Sequence, residues 1–325
     1  MASEKISFGI IGTNFISDWF VSATKRTECA TATAVYSRTR ERGEAFAKSN
    51  SIEKVYTSLS EMLADNTIDA IYVASPTFLH KEHSVSALRA GKHVLCEKMI
   101  AIDSGELSEM ISEAKKQDKV LLEAMRPDFD GAVELIRAEL ENIGPVRRVS
   151  LDYCQYSSRY DKFKAGEVLN AFDPKMKNSA LADIGIYPLH TCINLFDEPS
   201  SLNSRSVFLE NGFEAAGCVV MKYPGMLATV NYSKITDNIS SSVIEGERGS
   251  ILIDRINGTD SITVKPRTGD SYKLGYKACP NNMHLEVKAF CDMVAGKASN
   301  EYYLGVTEKT MRCVEKIYAS SGIKF

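Results

Sequence analysis

The chain has 325 residues, 44% of them hydrophobic, and its formal net charge at pH 7 is −3. This length and composition predict two globular domains with well-packed cores. Charges of both signs are scattered along the chain, so we expect no nucleic-acid partner, and no apolar run reaches the roughly 18 residues that a membrane span requires. The chain start, one lysine before a short apolar run and a glycine turn, predicts a first strand rather than a signal peptide.

The eight cysteines are widely spaced and include no CxxC pair, which is unlike a disulfide or zinc framework. The five histidines likewise lack the spacing of metal-binding motifs. We therefore expect free and mostly buried thiols, a reducing cytoplasm as the location, and no bound metal.

The first predicted strand, Ile6 to Ile11, ends at a glycine turn that leads into a helix. Such a turn directs backbone N–H groups and the positive end of a helix dipole at a bound anion, which suits a pyrophosphate. The dinucleotide fingerprint GxGxxG is matched imperfectly, because Asn14 and Ser17 stand at its second and third glycine positions. Asn tolerates a left-handed backbone and Ser is small enough for close packing, so we expect the turn geometry to be kept. The candidate cofactor contacts are Gly12, Thr13, Asn14, Phe15 and Ile16, and an ordinary turn without a ligand is the alternative.

The second predicted strand, Thr31 to Tyr36, ends without a carboxylate. NAD-specific sites usually place an Asp or Glu there for the ribose 2′-hydroxyl, whereas a hydroxyl and guanidinium groups suit the 2′-phosphate of NADP. The chain continues with Ser37 and Arg38, and Arg42 follows on the next helix. These residues predict NADP as the cofactor, with NAD as the second choice, and surface arginines at a solvated helix start are the alternative interpretation.

Two further predicted strands, at residues 68–74 and 93–96, flank a helix from His80 to Ala90. Strand, helix and strand within about 30 residues form a βαβ crossover, and ligands bind beyond the carboxyl ends of such strands. Polar residues follow both strands, so we expect them to line one edge of the sheet. His80 is expected to contact the nicotinamide ribose, or else to cap its helix. The candidate residues at this edge are Ser75, Pro76, Thr77, His80, Glu97 and Lys98.

Alternating strands and helices over residues 1–125 predict a Rossmann domain with a doubly wound parallel sheet. From residue 126 the pattern changes to a helix at 129–140 and a succession of short strands with tight turns. This predicts an α+β domain over residues 126–325 with a large, open, mainly antiparallel sheet. One face of that sheet must be covered by helices or by another copy of the chain. The predicted strands lie at residues 146–156, 205–209, 217–223, 227–233, 242–245, 251–253 and 261–264.

Asp183 and Tyr187 are four residues apart, a separation that places two side chains on one helix face or at one turn. Pro188 suits a first helical position, which predicts a helix from Pro188 to Phe196 with Asp183 in the preceding turn. Asp183 as a helix cap and Tyr187 as a core residue are the alternative.

Four motifs, GIIGTN, SPTFLH, AGKHVLCEKM and ADIGIY, resemble those of the Gfo/Idh/MocA oxidoreductase family, and most nearly its dihydrodiol and xylose dehydrogenase type. The resemblance extends to both halves of the chain, and it implies a homodimer or homotetramer formed through the C-terminal sheet. The sequence departs from the family at Met99, where proline is usual, at Asn14, and at Lys177-Asn178-Ser179 before DIGIY. Met99 leaves no proline ring to restrain the backbone beside Lys98.

Hydride transfer between a secondary alcohol carbon and nicotinamide C4 needs a group that takes up and returns the hydroxyl proton. Tyr187 is the candidate, because a neighbouring ammonium such as that of Lys98 favours the phenolate. Lys98 would also stabilise a developing alkoxide, and Asp183 would orient the substrate or Lys98. The family resemblance implies the same catalytic residues, Lys98, Asp183 and Tyr187.

The expected substrate is a sugar, polyol or cyclic diol. Arg126, Phe163 and His190 are candidate substrate contacts, with a plain surface role, or for His190 a packed position, as the alternative. A non-catalytic NADP-binding sensor on the same fold is the rival hypothesis, suggested by Met99 and the altered turn. Hydrolysis or isomerisation with a tightly held NAD is a third hypothesis.

Overall fold

The computed structural model describes residues 5–324. The chain forms two compact units: unit 1 comprises Met1–Arg126 and Asn281–Leu304, and unit 2 comprises Pro127–Pro280 and Gly305–Phe325. The predicted division after residue 125 lies one residue from the first of these boundaries. The prediction assigned the segment Asn281–Leu304 to the second domain, whereas this segment groups with unit 1.

Unit 1 is built on a six-stranded sheet in the order β3-β2-β1-β4-β5-β6. Every pairing in it is parallel, and β1 lies between β2 and β4. The strand order therefore reverses at β1, and the crevice beyond the carboxyl ends of β1 and β4 is where such sheets bind ligands. The strands are β1 (Ile6–Ile11), β2 (Ala30–Tyr36), β3 (Lys54–Tyr56), β4 (Ala70–Val73), β5 (His93–Glu97) and β6 (Leu121–Ala124).

Five helices of unit 1 connect these strands, and side-chain caps mark where several of them begin. Asp103 accepts a hydrogen bond from the N–H of Glu106 at 2.7 Å, which satisfies one of the amides that a helix start leaves unpaired. In the core, Phe20 stacks on Tyr72 with ring centroids 3.8 Å apart and meets Phe8 edge-on at 5.2 Å. The helices are α1 (Phe15–Thr24), α2 (Arg40–Asn50), α3 (Leu59–Ala64), α4 (His80–Arg89) and α5 (Ser104–Gln117).

Unit 2 contains an eight-stranded sheet in the order β14-β13-β12-β11-β7-β10-β9-β8. The β7–β10 pair is parallel and the other pairs are antiparallel, so the sheet is mixed but mainly antiparallel. The predicted fold class, a Rossmann unit followed by an α+β unit, is confirmed. The strands are β7 (Val146–Cys154), β8 (Ser201–Phe208), β9 (Glu214–Tyr223), β10 (Met226–Ser233), β11 (Ser242–Gly246), β12 (Gly249–Ile253), β13 (Ile262–Pro266) and β14 (Tyr272–Lys273).

The two faces of this sheet differ in burial. Along β10, Ala228 and Val230 are buried, whereas Leu227, the residue before Ala228, is 52% exposed. Period-two alternation of this kind shows one face packed on a core and one face left open. Three helices belong to unit 2 in this part of the chain: α6 (Ala132–Glu139), α7 (Tyr160–Lys164) and α8 (Ile186–Phe196).

Two late helices, α9 (Met283–Val294) and α10 (Glu301–Ser321), are not among the predicted elements. Helix α9 packs within unit 1, where Phe290 lies 5.6 Å from Phe8 between ring centroids and the Cys291 thiol donates to Cys29 O at 3.5 Å. Within the part of the chain that the structure describes, no helix is both long and apolar enough to cross a membrane.

Candidate active site

The turn after β1 depends on a glycine with a positive φ, although it lacks the second glycine of the dinucleotide fingerprint. Gly12 has a φ of 115°, and a Cβ atom there would lie 2.5 Å from Ala74 O, so only glycine fits. Asn14 has an extended backbone and caps α1: its Oδ1 accepts from Ser17 N at 3.2 Å. Its Nδ2 donates to Ala74 O at 2.9 Å. The expectation of a left-handed backbone at Asn14 is therefore wrong. Asn14 instead stabilises the turn through its side chain, which caps α1 and links it to the residue after β4.

The start of α1 combines close packing with backbone N–H groups that have no intrahelical acceptor. Ser17, at the third glycine position, is fully buried, so a small side chain allows the close packing that the sequence predicted. The amides of Phe15 and Ile16 stand in the first helical turn, where no intrahelical acceptor is available, and the helix dipole adds positive potential. Thr13 lies between Gly12 and the cap residue in the same turn.

The residues after β2 present positive charge where the ribose of a dinucleotide is usually held. Ser37 is buried, and its N–H donates to Tyr56 O at 3.0 Å. Arg38 and Arg42 are exposed, and among residues 5–324 no ion pair engages either of them. Arg40, between them, pairs with Glu44 at 3.5 Å. Two guanidinium groups are thus available to a phosphate.

His80 joins the ends of β4 and β5. Its Nε2 lies 2.8 Å from Ser75 O and its Nδ1 2.8 Å from Met99 O, and the residue is 1% exposed. Burial lowers the pKa of His80 to about 4, so the ring is uncharged at neutral pH. His83 Nδ1 lies 2.9 Å from the Ser75 hydroxyl. The predicted ribose contact of His80 stays a prediction, and Pro76 and Thr77 lie in the turn between Ser75 and α4.

The backbone around Lys98 is anchored on both sides. Before it, the Glu97 carboxylate accepts a bond from the buried Tyr72 hydroxyl at 2.5 Å, and burial raises the pKa of Glu97. After it, Met99 O is held by His80, and Ile100 N donates to Glu123 Oε1 at 3.0 Å. Lys98 itself is half-buried, and the Lys98–Met99 peptide is cis. Contacts with neighbouring elements therefore restrain the backbone at Met99, where the sequence lacks the proline that is usual in the family it resembles.

Arg126 ends unit 1 and contacts a segment from much later in the chain. Its Nη1 donates to Asn282 Oδ1 at 3.3 Å, and its guanidinium carbon lies 5.9 Å from the Trp19 ring centroid. Asn281 Nδ2 donates to Trp19 O at 3.1 Å in the same region. The sequence analysis missed these contacts of the two asparagines, because no local pattern links residues 281–282 to Arg126 or Trp19.

Asp183 and Tyr187 lie on one continuous helical stretch. The segment Leu181–Gly185 is a π-helical turn that continues directly into α8, and the two together are called the DIGIY helix, residues 181–196. The predicted helix start at Pro188 is wrong, since Pro188 is the third residue of α8. Pro188 has no N–H to donate to the fourth residue before it, and the wider turn, in which Ile186 N bonds to Leu181 O, occurs directly ahead of it.

A buried lysine that the sequence analysis missed holds Asp183. Lys234 Nζ lies 2.8 Å from Asp183 Oδ2 and donates to Ala171 O at 2.8 Å. The same ammonium faces the rings of Phe172 and Phe213, at 4.9 and 5.2 Å from their centroids. The one available signal was its position directly after β10.

Glu214 supports the start of the DIGIY helix, and it was also missed. Its Oε2 accepts from Leu181 N at 3.0 Å, and its Oε1 accepts from the Ser206 hydroxyl at 3.0 Å. Burial raises the pKa of Glu214 to about 7, despite these donors. A Cβ atom at Gly185 would lie 2.7 Å from the buried Tyr232 ring, so glycine lets the helix approach the sheet closely.

The other candidate residues of unit 2 occupy packed positions. Tyr187 is 7% exposed, and its ring meets that of Tyr153 edge-on at 5.9 Å. Phe163 packs in a cluster with Phe172 and Phe213. His190 is fully buried, with Nε2 2.7 Å from Asp128 Oδ2. The substrate contacts predicted for Phe163 and His190 stay predictions, as does the absence of a metal; in the part of the chain described, no three His, Cys, Asp or Glu side chains cluster as metal ligands would.

Family models match both units. Residues 6–125 match the model described as an oxidoreductase family with an NAD-binding Rossmann fold, and residues 133–252 match the GFO/IDH/MocA C-terminal domain. The chain belongs to the Gfo/Idh/MocA oxidoreductase family. It is thus an NAD(P)-dependent oxidoreductase, and the predicted enzyme class and cofactor type are confirmed at this level.

Individual members of the family include curated relatives of almost the same length. The scyllo-inositol 2-dehydrogenase (NADP(+)) IolU of Bacillus subtilis is 39% identical over 289 residues, which cover 89% of this chain and 88% of that protein. The uncharacterized oxidoreductase YgjR of Escherichia coli is 34% identical, with 98% of each chain covered. The trans-1,2-dihydrobenzene-1,2-diol dehydrogenase of Sus scrofa is 28% identical over 76% of this chain and 74% of its own. The dihydrodiol type is therefore a relative, at lower identity than the inositol dehydrogenase.

A solved structure shares the fold over nearly the whole chain. KijD10, a 3-ketoreductase from Actinomadura kijaniata in complex with NADP and TDP-benzene, matches with a TM-score of 0.87 and 18% identity, covering 98% of both chains. At this identity the likeness supports the fold alone.

Proposed function

We propose that this protein is an NADP-dependent dehydrogenase of polyols or sugars, with a cyclic polyol as the first substrate class to test. The observation that carries the proposal is the DIGIY helix, which presents Asp183 and Tyr187 on one stretch in a chain 39% identical to an NADP-dependent inositol dehydrogenase. Sugars and cyclic diols are the other substrates to test.

The proposed chemistry is reversible oxidation of a secondary alcohol to a ketone. Bound NADP would accept the hydride from the carbinol carbon at C4 of its nicotinamide. Tyr187, acting as the phenolate, takes up the hydroxyl proton and becomes the neutral phenol, and the Lys98 ammonium stabilises the negative charge that develops on the substrate oxygen. Asp183 accepts a hydrogen bond from a substrate hydroxyl and so orients it. In the reducing direction the same groups return the proton.

The proposed cofactor site uses features within unit 1. Gly12 and the first turn of α1 hold the pyrophosphate, and Arg38 and Arg42 bind the 2′-phosphate, with Ser37 beside them. Their exposure, and the lack of a carboxylate at the end of β2, support NADP over NAD. Asn14 and Met99 had suggested a non-catalytic sensor. However, the bond from Asn14 to Ala74 O keeps the first turn, and the contact of Met99 O with His80 and the bond from Ile100 N to Glu123 restrain the backbone at the second position.

A turnover assay tests the proposal. Purified protein with NADP and a panel of inositols, sugars and trans-dihydrodiols should produce reduced cofactor. Lys98→Met and Tyr187→Phe should each lower kcat by about 100-fold or more, because each removes a group that acts on the reacting oxygen. Both variants should still bind NADP. The exposed Lys116→Met on α5, away from the proposed site residues, is the matched control and should retain activity.

Normal turnover by Lys98→Met would refute the role given to Lys98. NADP binding without turnover of any member of the panel would instead favour the sensor hypothesis.

We further propose that the open face of the eight-stranded sheet pairs with a second copy, giving a homodimer or homotetramer. Leu227 and Val220 are large apolar side chains exposed on adjacent strands of this face, at 52% and 44%. Leu227→Glu should shift the mass measured by light scattering towards the monomer, while Val168→Glu in an exposed loop should not. An unchanged mass in Leu227→Glu would exclude this face. The eight cysteines are free thiols, which supports a reducing compartment such as the cytoplasm.

A further inference from the structure

We propose that Lys234 is a positioning residue, which holds the Asp183 carboxylate charged and in one orientation for the substrate. This inference rests on the proposed dehydrogenase function. Lys234 follows β10, and it acts through Asp183 rather than on the substrate.

The Lys234 ammonium has several partners in its buried surroundings. Its side chain is only 4% exposed, yet its Nζ has an anion, the Asp183 carboxylate, at 2.8 Å and a carbonyl acceptor, Ala171 O, at 2.8 Å. The faces of Phe172 and Phe213 lie within cation–π distance of the same atom. The ammonium therefore places a positive charge beside Oδ2 of Asp183.

The geometry of Asp183 makes this fixed charge useful. One carboxylate oxygen, Oδ2, is bound by Lys234, while 38% of the Asp183 side chain remains accessible. A carboxylate held at one oxygen cannot rotate freely, so its accessible part points in one direction. An ionised carboxylate only accepts hydrogen bonds, which suits recognition of an alcohol O–H.

The two phenylalanine rings that face Lys234 hold its ammonium in a rigid position. Phe172 and Phe213 are fully buried, and their ring centroids lie 5.1 Å apart. The main chain of Lys234 is fixed as well, since its N–H donates to Ala215 O at 2.9 Å. The ammonium is thus held by both its backbone and its packing, and Asp183 is held by the ammonium.

The test compares Lys234→Met, Lys234→Arg, Asp183→Asn and the double variant Lys234→Met/Asp183→Asn. Lys234→Met should lower kcat by roughly 10- to 100-fold while the dissociation constant of NADP stays unchanged, because the cofactor residues proposed lie in unit 1. Lys234→Arg should recover most of the loss. The double variant should be no slower than Asp183→Asn alone, since Lys234 acts through Asp183.

The pH profile supplies a readout that a purely structural role would not move. Without the neighbouring ammonium, protonation of Asp183 becomes easier, so the acid limb of kcat/KM should move to higher pH in Lys234→Met. If Lys234→Met does not fold, as judged by circular dichroism, Lys234→Gln replaces it: the amide keeps a donor for Ala171 O but removes the charge, and the same movement is expected.

A folded charge-removing variant with wild-type kcat and an unmoved acid limb would overturn the inference. So would a double variant much slower than Asp183→Asn, because Lys234 would then act independently of Asp183. If the wild-type protein oxidises a member of the panel and Lys234→Met does so equally well, only this inference fails. If the wild-type protein turns over none, the proposed function fails and this inference with it.

Discussion

The cofactor edge of unit 1 and the DIGIY helix of unit 2 are positioned by different means. At the cofactor edge, which is formed by the candidate cofactor residues of unit 1, most of these residues lie at or soon after the carboxyl end of a strand, and the parallel sheet brings the strand ends together. The DIGIY helix is held by side chains from other elements: Glu214 of β9 at its start and Lys234 after β10 at Asp183. The position of the cofactor residues thus depends on backbone geometry, and the position of the DIGIY helix depends on buried ionisable side chains. Substitutions should therefore disturb the two regions in different ways.

Gly12→Ala should disable the cofactor edge without changing any charge. The new Cβ atom would meet Ala74 O, and alanine at a φ of 115° is strained by about 1–3 kcal/mol. We expect the dissociation constant of NADP, measured by fluorescence titration, to rise by about 100-fold or more. Gly91→Ala is the matched control, because Gly91 also has a positive φ but no atom near its added Cβ. Equal NADP affinity in the two variants would show that the close approach to Ala74 does not matter.

Glu214→Gln should remove the pH dependence of stability that the buried Glu214 carboxyl causes. Burial raises the pKa of Glu214 to about 7 from 4.5, so the folded protein keeps a proton that the unfolded chain releases. The stability that this group contributes is full below pH 4.5 and is lost as the pH rises to about 7. The loss is roughly 3.5 kcal/mol, because each pH unit between the two pKa values corresponds to about 1.4 kcal/mol.

The measurement for Glu214 is urea unfolding at pH 5 and pH 7.5. The difference in unfolding free energy between the two pH values should shrink in Glu214→Gln and persist in the exposed Glu210→Gln. An unchanged difference in Glu214→Gln would mean that another group causes it.

Gly185→Ala should displace the DIGIY helix from the sheet. The added Cβ would lie 2.7 Å from a fully buried Tyr232 ring, which cannot move without disturbing its neighbours. Overpacking of this kind costs about 1–3 kcal/mol, and we expect a lower melting temperature and a lower kcat with NADP affinity unchanged. Gly305→Ala in α10 has open space at the added Cβ and should be neutral. Loss of NADP affinity in Gly185→Ala would contradict the separation of the two regions.

Arg38→Ala should change the choice of cofactor by a modest amount. A hydrogen bond to a charged group contributes about 1.5–3 kcal/mol, so the preference for NADP over NAD in kcat/KM should fall by roughly 10- to 100-fold. Arg40→Ala, which removes an arginine already paired with Glu44, should leave the preference nearly unchanged. If the two variants behave alike, the 2′-phosphate is bound elsewhere.

Local patterns predicted the strands and turns of unit 1 well and the start of the DIGIY helix less well. The strand before Gly12 and the strands on either side of α4 were located from runs of apolar residues alone. The role of Asn14 was misjudged because its bond to Ala74 O joins residues 60 positions apart. The start of the DIGIY helix was placed too late, because Pro188 is a common first helical residue and nothing nearby in sequence shows the π turn.

The sequence by itself determined the order of strands and helices over residues 6–124, the glycine turn at Gly12 and the spacing of Asp183 and Tyr187, because each of these depends on residues close together in the chain. Only the tertiary structure decided that Lys234 and Glu214 support the DIGIY helix, and that α9 returns to pack in unit 1. Those contacts join residues brought together by strand pairing and core packing. Propensities and periodicity extend over a few turns of chain, so they carry no signal for such partners.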